Sequence, residues 1–180
     1  SIVTQFNVEK NAADLSGESW AANVDPAAAA ELSVNGKLYG QPVQDVSAVW
    51  ALAYNRALFD ELGLEIPTTY DELCAVCDKI MAAGITPIYE SVSDGWHHTL
   101  WIENAIAATQ ANAGYPAALN ENTDTFAGNE EMRTILTQIK DMVDKGYWGD
   151  NYMSNQHADA AAAIASGEYA MVVYNQGLGT

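Results

Sequence analysis

Cys74 and Cys77 stand in a C-x-x-C spacing, which occurs in thiol redox sites and in half of many zinc sites. Redox pairs of this kind usually lie at a helix N-terminus, where the helix dipole stabilises a thiolate. Here the helical pattern begins earlier, so both thiols fall inside the helix. Zinc would need further ligands, and His97, His98 and His157 show no matching pair spacing. We therefore expect two unreactive helix cysteines, with Cys77 facing inward, and neither a metal nor another cofactor.

Carboxylates close to tryptophans could instead catalyse glycoside hydrolysis. That reaction needs two carboxyl groups about 5 to 10 Å apart, one of them kept protonated by burial. Asp45 and Asp94 are the candidates, but nothing in their sequence contexts marks a buried acid. The motifs G-x-S-x-G, P-loop, H-E-x-x-H and G-x-G-x-x-G do not occur. A carbohydrate-active enzyme is therefore the alternative hypothesis, and a bare interaction module is a third.

The charge and composition exclude other classes of function. The chain has 24 acidic and 7 basic residues, a net charge of -17, so both nucleic acid and anionic lipid surfaces would be repelled. The acidic residues are spread along the chain, and a hydrophobic content of 49% argues against disorder. No apolar stretch approaches the roughly 18 residues of a membrane span, and no signal peptide opens the sequence. We expect a folded acidic protein that either is cytosolic or has its signal removed or outside this sequence.

Strand and helix patterns alternate along most of the chain. Strand patterns cover residues 36–43, 47–55, 85–89 and 169–174. Helical patterns cover residues 56–62, 70–84, 94–114, 128–146 and 158–167. This alternation predicts an α/β domain with a parallel or mixed sheet flanked by helices. Residues 1–34 are polar and turn-rich, so we expect either a lead-in or a fragment of something larger, and not a separate domain.

Capping residues mark the boundaries of two helices in the middle of the chain. Asn55 is a natural N-cap and Gly63 a natural residue for the helix end, so the first helix should be short. Pro67 then prevents the helix from continuing. Thr69 followed three residues later by Glu72 predicts a capping box at the start of the second helix.

Four segments, GKLYGQPV, WALAYNRALFDELGLEIPTTYDELCAVCDKIMAAGITPIY, DGWHHTLW and SGEYAMVVYN, occur in this order along the chain. In order and spacing they closely resemble the extracellular sugar-binding proteins of bacterial ABC importers. Members of that family are much longer and have two α/β lobes with the ligand in the cleft between them. The resemblance implies that residues 1–46 are a lead-in from the first lobe and hinge, that residues 47–174 form the second, periplasmic-binding-protein-like lobe, and that residues 175–180 begin the return crossover.

The resemblance also implies a function without catalysis. The protein would bind a sugar or oligosaccharide outside the cytoplasm and deliver it to the permease subunits of an ABC transporter. It would be a cell-surface lipoprotein or a periplasmic protein, and its only attachment to the membrane would be a lipid anchor outside this sequence. Nucleic acid would not be a partner.

The family's cleft corresponds here to the two crossovers and to the start of the helix near Trp96. A sugar needs aromatic plates for its ring face and polar side chains for its hydroxyl groups. Residues with these properties at the matching positions are Gln44, Asp45, Ser47, Trp50, Trp96, His97, Tyr174, Asn175 and Gln176. The family commonly has Gly and then Trp shortly after the last strand, but Gly177 and Leu178 supply no indole here.

Three further residues near these candidates are expected to have structural roles. Trp101 follows Trp96 by five positions on the predicted helix and should pack inward. His98 and His157 are interpreted as surface or structural residues.

Overall fold

The computed structural model describes residues 6–43, 50–103 and 114–179. The chain divides into two units, Ser1–Ser47 and Ala48–Thr180, which are described separately. Within the described ranges, no helix is both long and apolar enough to cross a bilayer.

In the described part of the first unit there are two short α-helices, a 3-10 turn at Ala21–Asn23 and one small hairpin. Its elements are α1 (Val8–Asn11), α2 (Pro26–Glu31), β1 (Ser33–Val34) and β2 (Lys37–Leu38). The side chain of Asp25 caps α2 by accepting hydrogen bonds from the backbone N–H groups of Ala27 and Ala28. Asp25 and Pro26 therefore start a helix at this point.

The hairpin turns at Asn35 and Gly36, as expected from this dipeptide. Both residues have positive φ, 51° and 76°, which a two-residue turn between antiparallel strands favours. The expected strand at residues 36–43 is wrong in its extent, since only Lys37–Leu38 pairs with a neighbouring strand among the described residues. Gly40 and Pro42 explain the early end, because glycine weakens a strand and proline removes a backbone donor.

The second unit is built on a mixed three-stranded sheet with the order β3, β5, β4. The strands are β3 (Trp50–Tyr54), β4 (Thr86–Tyr89) and β5 (Tyr169–Asn175). The central strand β5 is antiparallel to β3 and parallel to β4. Its residues 169–173 are all buried, as expected for a strand covered on both faces.

Helices cover this sheet and enclose two clusters of buried residues. The helices whose bounds lie within the described residues are α3 (Arg56–Leu62), α4 (Tyr70–Ala82), α5 (Tyr115–Asn120), α6 (Glu130–Asp144) and α7 (Ala160–Ser166). The larger cluster joins side chains of α3, α4 and α6 to β4 and β5, and the smaller joins α7 to the same two strands. The predicted α/β lobe with a mixed sheet flanked by helices is confirmed.

The predicted caps of α3 and α4 are confirmed. Asn55 accepts a hydrogen bond from the backbone N–H of Leu58, and Gly63 ends α3 in the left-handed conformation. Thr69 and Glu72 form the reciprocal bonds of a capping box. These caps are local interactions, so the short sequence segments that contain them were enough to predict them.

We expect Thr69→Ala to lower the free energy of unfolding by about 1 kcal/mol, because the backbone N–H of Glu72 loses its acceptor. Cys74→Ser is the control: Cys74 is only partly buried, and its sulfur contacts Lys145 Nζ at 3.6 Å, so this change should be nearly silent. Urea unfolding of the two variants beside the parent measures both effects. Equal and large losses would contradict this interpretation of the cysteine.

The single helix expected over residues 94–114 is wrong at its start. Two 3-10 turns, Val92–Asp94 and His97–Thr99, come first, and α-helical backbone begins only at residue 100. Gly95 explains the break, because its φ of 76° is outside the right-handed helical region. Trp96 therefore precedes a 3-10 turn, and residues 104–113 of the expected helix lie outside the described part of the chain.

Candidate binding site

One edge of the three-stranded sheet brings several of the candidate side chains together. The parallel strands β4 and β5 both end at this edge, and β3 begins there because it runs in the opposite direction. Glu90 directly follows β4, Tyr174 lies near the end of β5, and Trp50 is the first residue of β3. Ligands of open α/β sheets bind beyond the carboxyl ends of the strands, so this edge is the candidate site.

Four aromatic side chains at this edge form what we call the ring cluster: Trp50, Trp96, His157 and Tyr174. His157 is central, with its ring stacked on Tyr174 at a centroid distance of 4.4 Å and an angle of 11°. Trp96 packs its ring edge-to-face with His157 at 4.8 Å. Trp50 lies 6.1 Å from Trp96 and 6.4 Å from Tyr174, measured between ring centroids. Two strands and two loops thus contribute one ring each.

Trp96 is the most accessible ring of the cluster. It is 41% exposed, whereas Trp50, His157 and Tyr174 are half-buried. The rings of Trp50, His97 and His157 pack against the indole, while a large part of it remains open to solvent. An indole in this position can stack on the apolar face of a ligand.

The loop that carries His157 is tied to the segment after β4. Three hydrogen bonds make this connection, and each joins a side chain to a backbone group more than sixty positions away in sequence. Tyr89 Oη donates to Gln156 O at 2.7 Å, and Asn155 Nδ2 donates to Glu90 O at 3.1 Å. The backbone N–H of His157 donates to Asp94 Oδ2 at 2.5 Å. The loop therefore holds the imidazole of His157 in place against the other rings.

A buried polar group lies next to the ring cluster, and we call it the Glu90 network: Glu90, His97, Trp101 and the carbonyl of Val173. Glu90 Oε1 lies 2.5 Å from His97 Nδ1 and accepts from the backbone N–H of Ser91 at 2.8 Å. Trp101 Nε1 donates to Glu90 Oε2 at 2.7 Å, and His97 Nε2 lies 2.8 Å from Val173 O. Glu90 and His97 are fully buried. The network therefore joins the end of β4 to β5 through side chains.

The pKa of His97 is raised above its ordinary value. Burial by itself would lower the pKa, but the hydrogen bond to Glu90, the carboxylate's negative charge and the bond to the Val173 carbonyl outweigh it. The arrangement therefore favours an imidazolium paired with a carboxylate.

His157 shows the opposite shift. Burial lowers its pKa, and the charge of the neighbouring His97 lowers it further, against the smaller opposing effects of Asp94 and Glu90. Its ring centroid is 5.1 Å from that of His97, which accounts for the coupling. At neutral pH the imidazole of His157 is therefore uncharged.

The sequence-predicted site residues fall into three groups. Trp50, Trp96 and Tyr174 meet in the ring cluster, and Asn175 pairs with Trp50 across the strands at the same edge. His97 is adjacent but buried, with both ring nitrogens engaged by the protein, so its expected direct contact with a ligand does not fit this geometry. Outside the described residues or side chains lie Gln44, Asp45, Ser47 and the side chain of Gln176.

Two residues at this edge were not among the predicted site residues. His157 was expected to be a surface or structural residue, and it is half-buried at the centre of the ring cluster. Glu90 was not singled out, although a carboxylate directly after the buried strand pattern ITPIY was a usable signal. The inward packing expected of Trp101 is confirmed by its contact with the larger buried cluster and its stacking on Trp148.

The alternative chemistries considered from the sequence gain no support at this edge. Asp94 is engaged by the backbone of the His157 loop, and Asp45 lies outside the described residues. Cys74 and Cys77 are free cysteines, and burial raises the pKa of Cys77 to about 12. Across the residues that the structure covers, no group of three or more His, Cys, Asp or Glu side chains could hold a metal ion.

Known relatives share most of this chain. A probable sugar-binding periplasmic protein of Mesorhizobium japonicum is 28% identical over 84% of the chain and 35% of its own length. The multiple sugar-binding protein of Streptococcus mutans is 24% identical over 85% of the chain and 37% of its own length. The chain therefore spans a little over a third of the length of these relatives.

Solved structures share the fold. A protein from a study of xylan utilization by Caldanaerobius polysaccharolyticus has a TM-score of 0.77 and 23% identity over 96% of this chain and 44% of its own. RafE in complex with raffinose has a TM-score of 0.70 and 23% identity over 97% of this chain and 46% of its own. A Bacillus licheniformis sugar transporter in complex with stachyose has a TM-score of 0.67 and 21% identity over 90% of this chain and 43% of its own.

The family model described as "Bacterial extracellular solute-binding protein" matches residues 6–178, nearly the whole of the chain. With this match, and with the same fold in the solved structures, the chain belongs to the bacterial extracellular solute-binding protein family.

Proposed function

We propose that this chain supplies one lobe of a saccharide receptor, and that the ring cluster is the part of that lobe that contacts the sugar. The observation that carries the proposal is the meeting of four aromatic rings from separate segments at one sheet edge, with Trp96 41% exposed. The rest of the receptor would belong to a longer protein, consistent with the length of the relatives.

The chemistry of a sugar fits this edge. A pyranose ring has apolar faces formed by C–H groups and a rim of hydroxyl groups, so it stacks on an indole and needs polar groups around its edge. Trp96 offers the face. For the rim, we propose the imidazole of His157 and the side chain of Asn175, whose Oδ1 accepts from the backbone N–H of Gly177.

The names and ligands of the relatives support a saccharide over other solutes. The two curated relatives are named as sugar-binding proteins, and two of the structures contain raffinose and stachyose. By the same reasoning, the receptor would act outside the cytoplasm and pass its sugar to the permease subunits of an ABC importer. It would not alter the sugar.

Trp96→Ala should weaken saccharide binding by about 1–3 kcal/mol, because the sugar ring loses its stacking face. Calorimetric titration of the full-length protein with raffinose, stachyose, xylo-oligosaccharides and chitin oligosaccharides first identifies a saccharide that binds. The affinities of the parent and the variants for that saccharide are then compared. Phe126→Ala is the matched control, because Phe126 is an aromatic residue that is 59% exposed and outside the ring cluster. Its affinity should equal that of the parent.

The same titrations also test the alternative functions. Chromatography of the saccharides after incubation should return them intact, and new products would favour the carbohydrate-active enzyme. Binding of none of the saccharides would favour a bare interaction module. If Trp96→Ala binds as well as the parent, the saccharide contacts a different part of the lobe.

A further inference from the structure

The hydrogen bonds of the Glu90 network fix one proton of His97. Val173 O is a carbonyl and can only accept, so Nε2 of His97 must carry a proton. Glu90 accepts from the N–H of Ser91 and the indole N–H of Trp101, and a further proton lies between Glu90 Oε1 and His97 Nδ1. Every donor meets an acceptor whether Nδ1 or Glu90 carries this proton, and the raised pKa of His97 favours Nδ1, which makes the two groups an ion pair. A buried ion pair of this kind is favourable only when its remaining hydrogen-bonding groups are satisfied, as they are here.

The ion pair touches the ring cluster on two sides. The ring of His97 packs at 5.4 Å from the neighbouring indole of Trp96 and at 5.1 Å from the imidazole of His157, between centroids. Since the ring of His97 is held at both nitrogens, it cannot rotate without breaking a hydrogen bond. The pair therefore presents a rigid surface to Trp96, the ring most open to solvent, and to His157, the ring at the centre of the cluster.

We propose that the buried ion pair of Glu90 and His97 is the positioning device of the saccharide site, fixing Trp96 and His157 without contacting the sugar. That these rings bind a saccharide rests on the proposed function, but their positioning by the ion pair does not. Both residues are fully buried, so their effect on a ligand passes through the rings that they support.

The ion pair also sets the charge of His157. The groups that face His157 are His97, Asp94 and Glu90 from the segment after β4, and the phenol ring of Tyr174 from β5. Of the charged groups, the imidazolium of His97 has the largest effect, and it opposes a second positive charge. Removing this charge should therefore raise the pKa of His157.

Two substitutions test the two members of the ion pair, Glu90 and His97, one at a time. His97→Gln removes the positive charge and the hydrogen bond to at least one of its two partners. Glu90→Gln keeps the size of the side chain but places one NH₂ group where a carboxylate oxygen accepted. Whichever way this amide is turned, its NH₂ faces a donor: the N–H of Ser91 or the indole N–H of Trp101. His98→Gln is the matched control, because it makes the same change one position along the chain.

The experiment is a pH titration of the full-length protein by NMR, with nitrogen-15 labels in the histidine rings and the tryptophan indoles and with no saccharide present. In the parent at pH 7, both ring nitrogens of His97 should be protonated. His97→Gln should raise the titration midpoint of His157 and shift the indole N–H signals of Trp96 and Trp101. Glu90→Gln should make His97 neutral at pH 7 and move the Trp101 signal. His98→Gln should leave all these signals in place.

A second measurement relates positioning to binding. With the best-bound saccharide of the same panel, His97→Gln should lower the affinity about tenfold or more, while His98→Gln should bind as the parent does. A neutral His97 in the parent at pH 7 would overturn the proposal, as would unchanged Trp96 signals and an unchanged His157 midpoint in His97→Gln. If His97→Gln does not fold, the spectra of the parent and of Glu90→Gln still show whether His97 is protonated and whether this depends on Glu90. If the parent binds no saccharide, the proposed function fails and the NMR result still stands.

Discussion

We expect Trp101→Ala to lower the free energy of unfolding by about 3–5 kcal/mol, which is the usual cost of truncating a packed tryptophan. The indole stacks on Trp148 with a centroid distance of 6.4 Å and packs against the larger buried cluster. Its truncation leaves a cavity and also removes the only side-chain donor to Glu90 Oε2 among the described residues. Denaturant unfolding followed by circular dichroism measures this loss.

Trp101→Phe separates the two causes. Phenylalanine keeps an aromatic ring for stacking on Trp148, but it has no N–H for Glu90. The loss should then be about 1–3 kcal/mol, the cost of leaving a buried acceptor without its donor. If both Trp101 variants unfold like the parent, neither the packing of the indole nor its hydrogen bond to Glu90 contributes to stability, and the prediction is wrong.

The features predicted correctly from the sequence are those in which the decisive residues are close together in the chain. Asn55 and Gly63 are eight positions apart and mark the two ends of α3, and Thr69 and Glu72 are three positions apart and mark the start of α4. The strand and helix order predicted the α/β architecture for the same reason, because each element shows its own periodicity.

The prediction of a helix that begins at residue 94 failed because the backbone conformation there depends on a single glycine, Gly95. The pattern from Asp94 onward is helical in its apolar spacing, yet Gly95 adopts a positive φ and the chain makes two short turns first. Glycine allows a left-handed conformation without requiring it, so the local sequence does not determine which is adopted.

The site was only partly predictable, because its contacts are distant in sequence. Trp50, Trp96 and Tyr174 were nominated through the family resemblance, and the sheet order shows why the ends of β3 and β5 bring two of them together. His157 was not among the predicted site residues, because hydrogen bonds to residues more than sixty positions away hold its loop at this edge. Glu90 follows a buried strand pattern directly, which was a usable signal, but its partners His97 and Trp101 are known only from the packed structure.

We expect the 180-residue chain on its own to bind a saccharide far more weakly than the full-length protein does. The chain covers 35–37% of the two curated relatives from Mesorhizobium and Streptococcus, so we infer that a second lobe supplies the opposite side of the site. Binding sites usually bury 70–90% of a ligand, and domain closure around the ligand is how two-lobed proteins reach that figure.

Trp96 is 41% exposed, and the other three rings of the cluster are half-buried. A sugar on the ring cluster alone would keep a large part of its surface in water and leave many hydroxyl groups without protein partners. Losing half of the contacts should cost several kcal/mol, and each 1.4 kcal/mol is about a tenfold change in affinity. We therefore expect the affinity of the 180-residue chain to be about a hundredfold or more below that of the full-length protein.

Calorimetric titration of both proteins with the same panel saccharide measures the difference. Circular dichroism and a cooperative thermal transition of the 180-residue chain provide the control, because weak binding is informative only if the lobe is folded. Phe126→Ala in the full-length protein should keep the parent affinity and so exclude a general loss from surface changes. Equal affinities for the folded chain and the full-length protein would mean that this lobe holds the complete site, and the sugar would then need more contacts than the ring cluster offers.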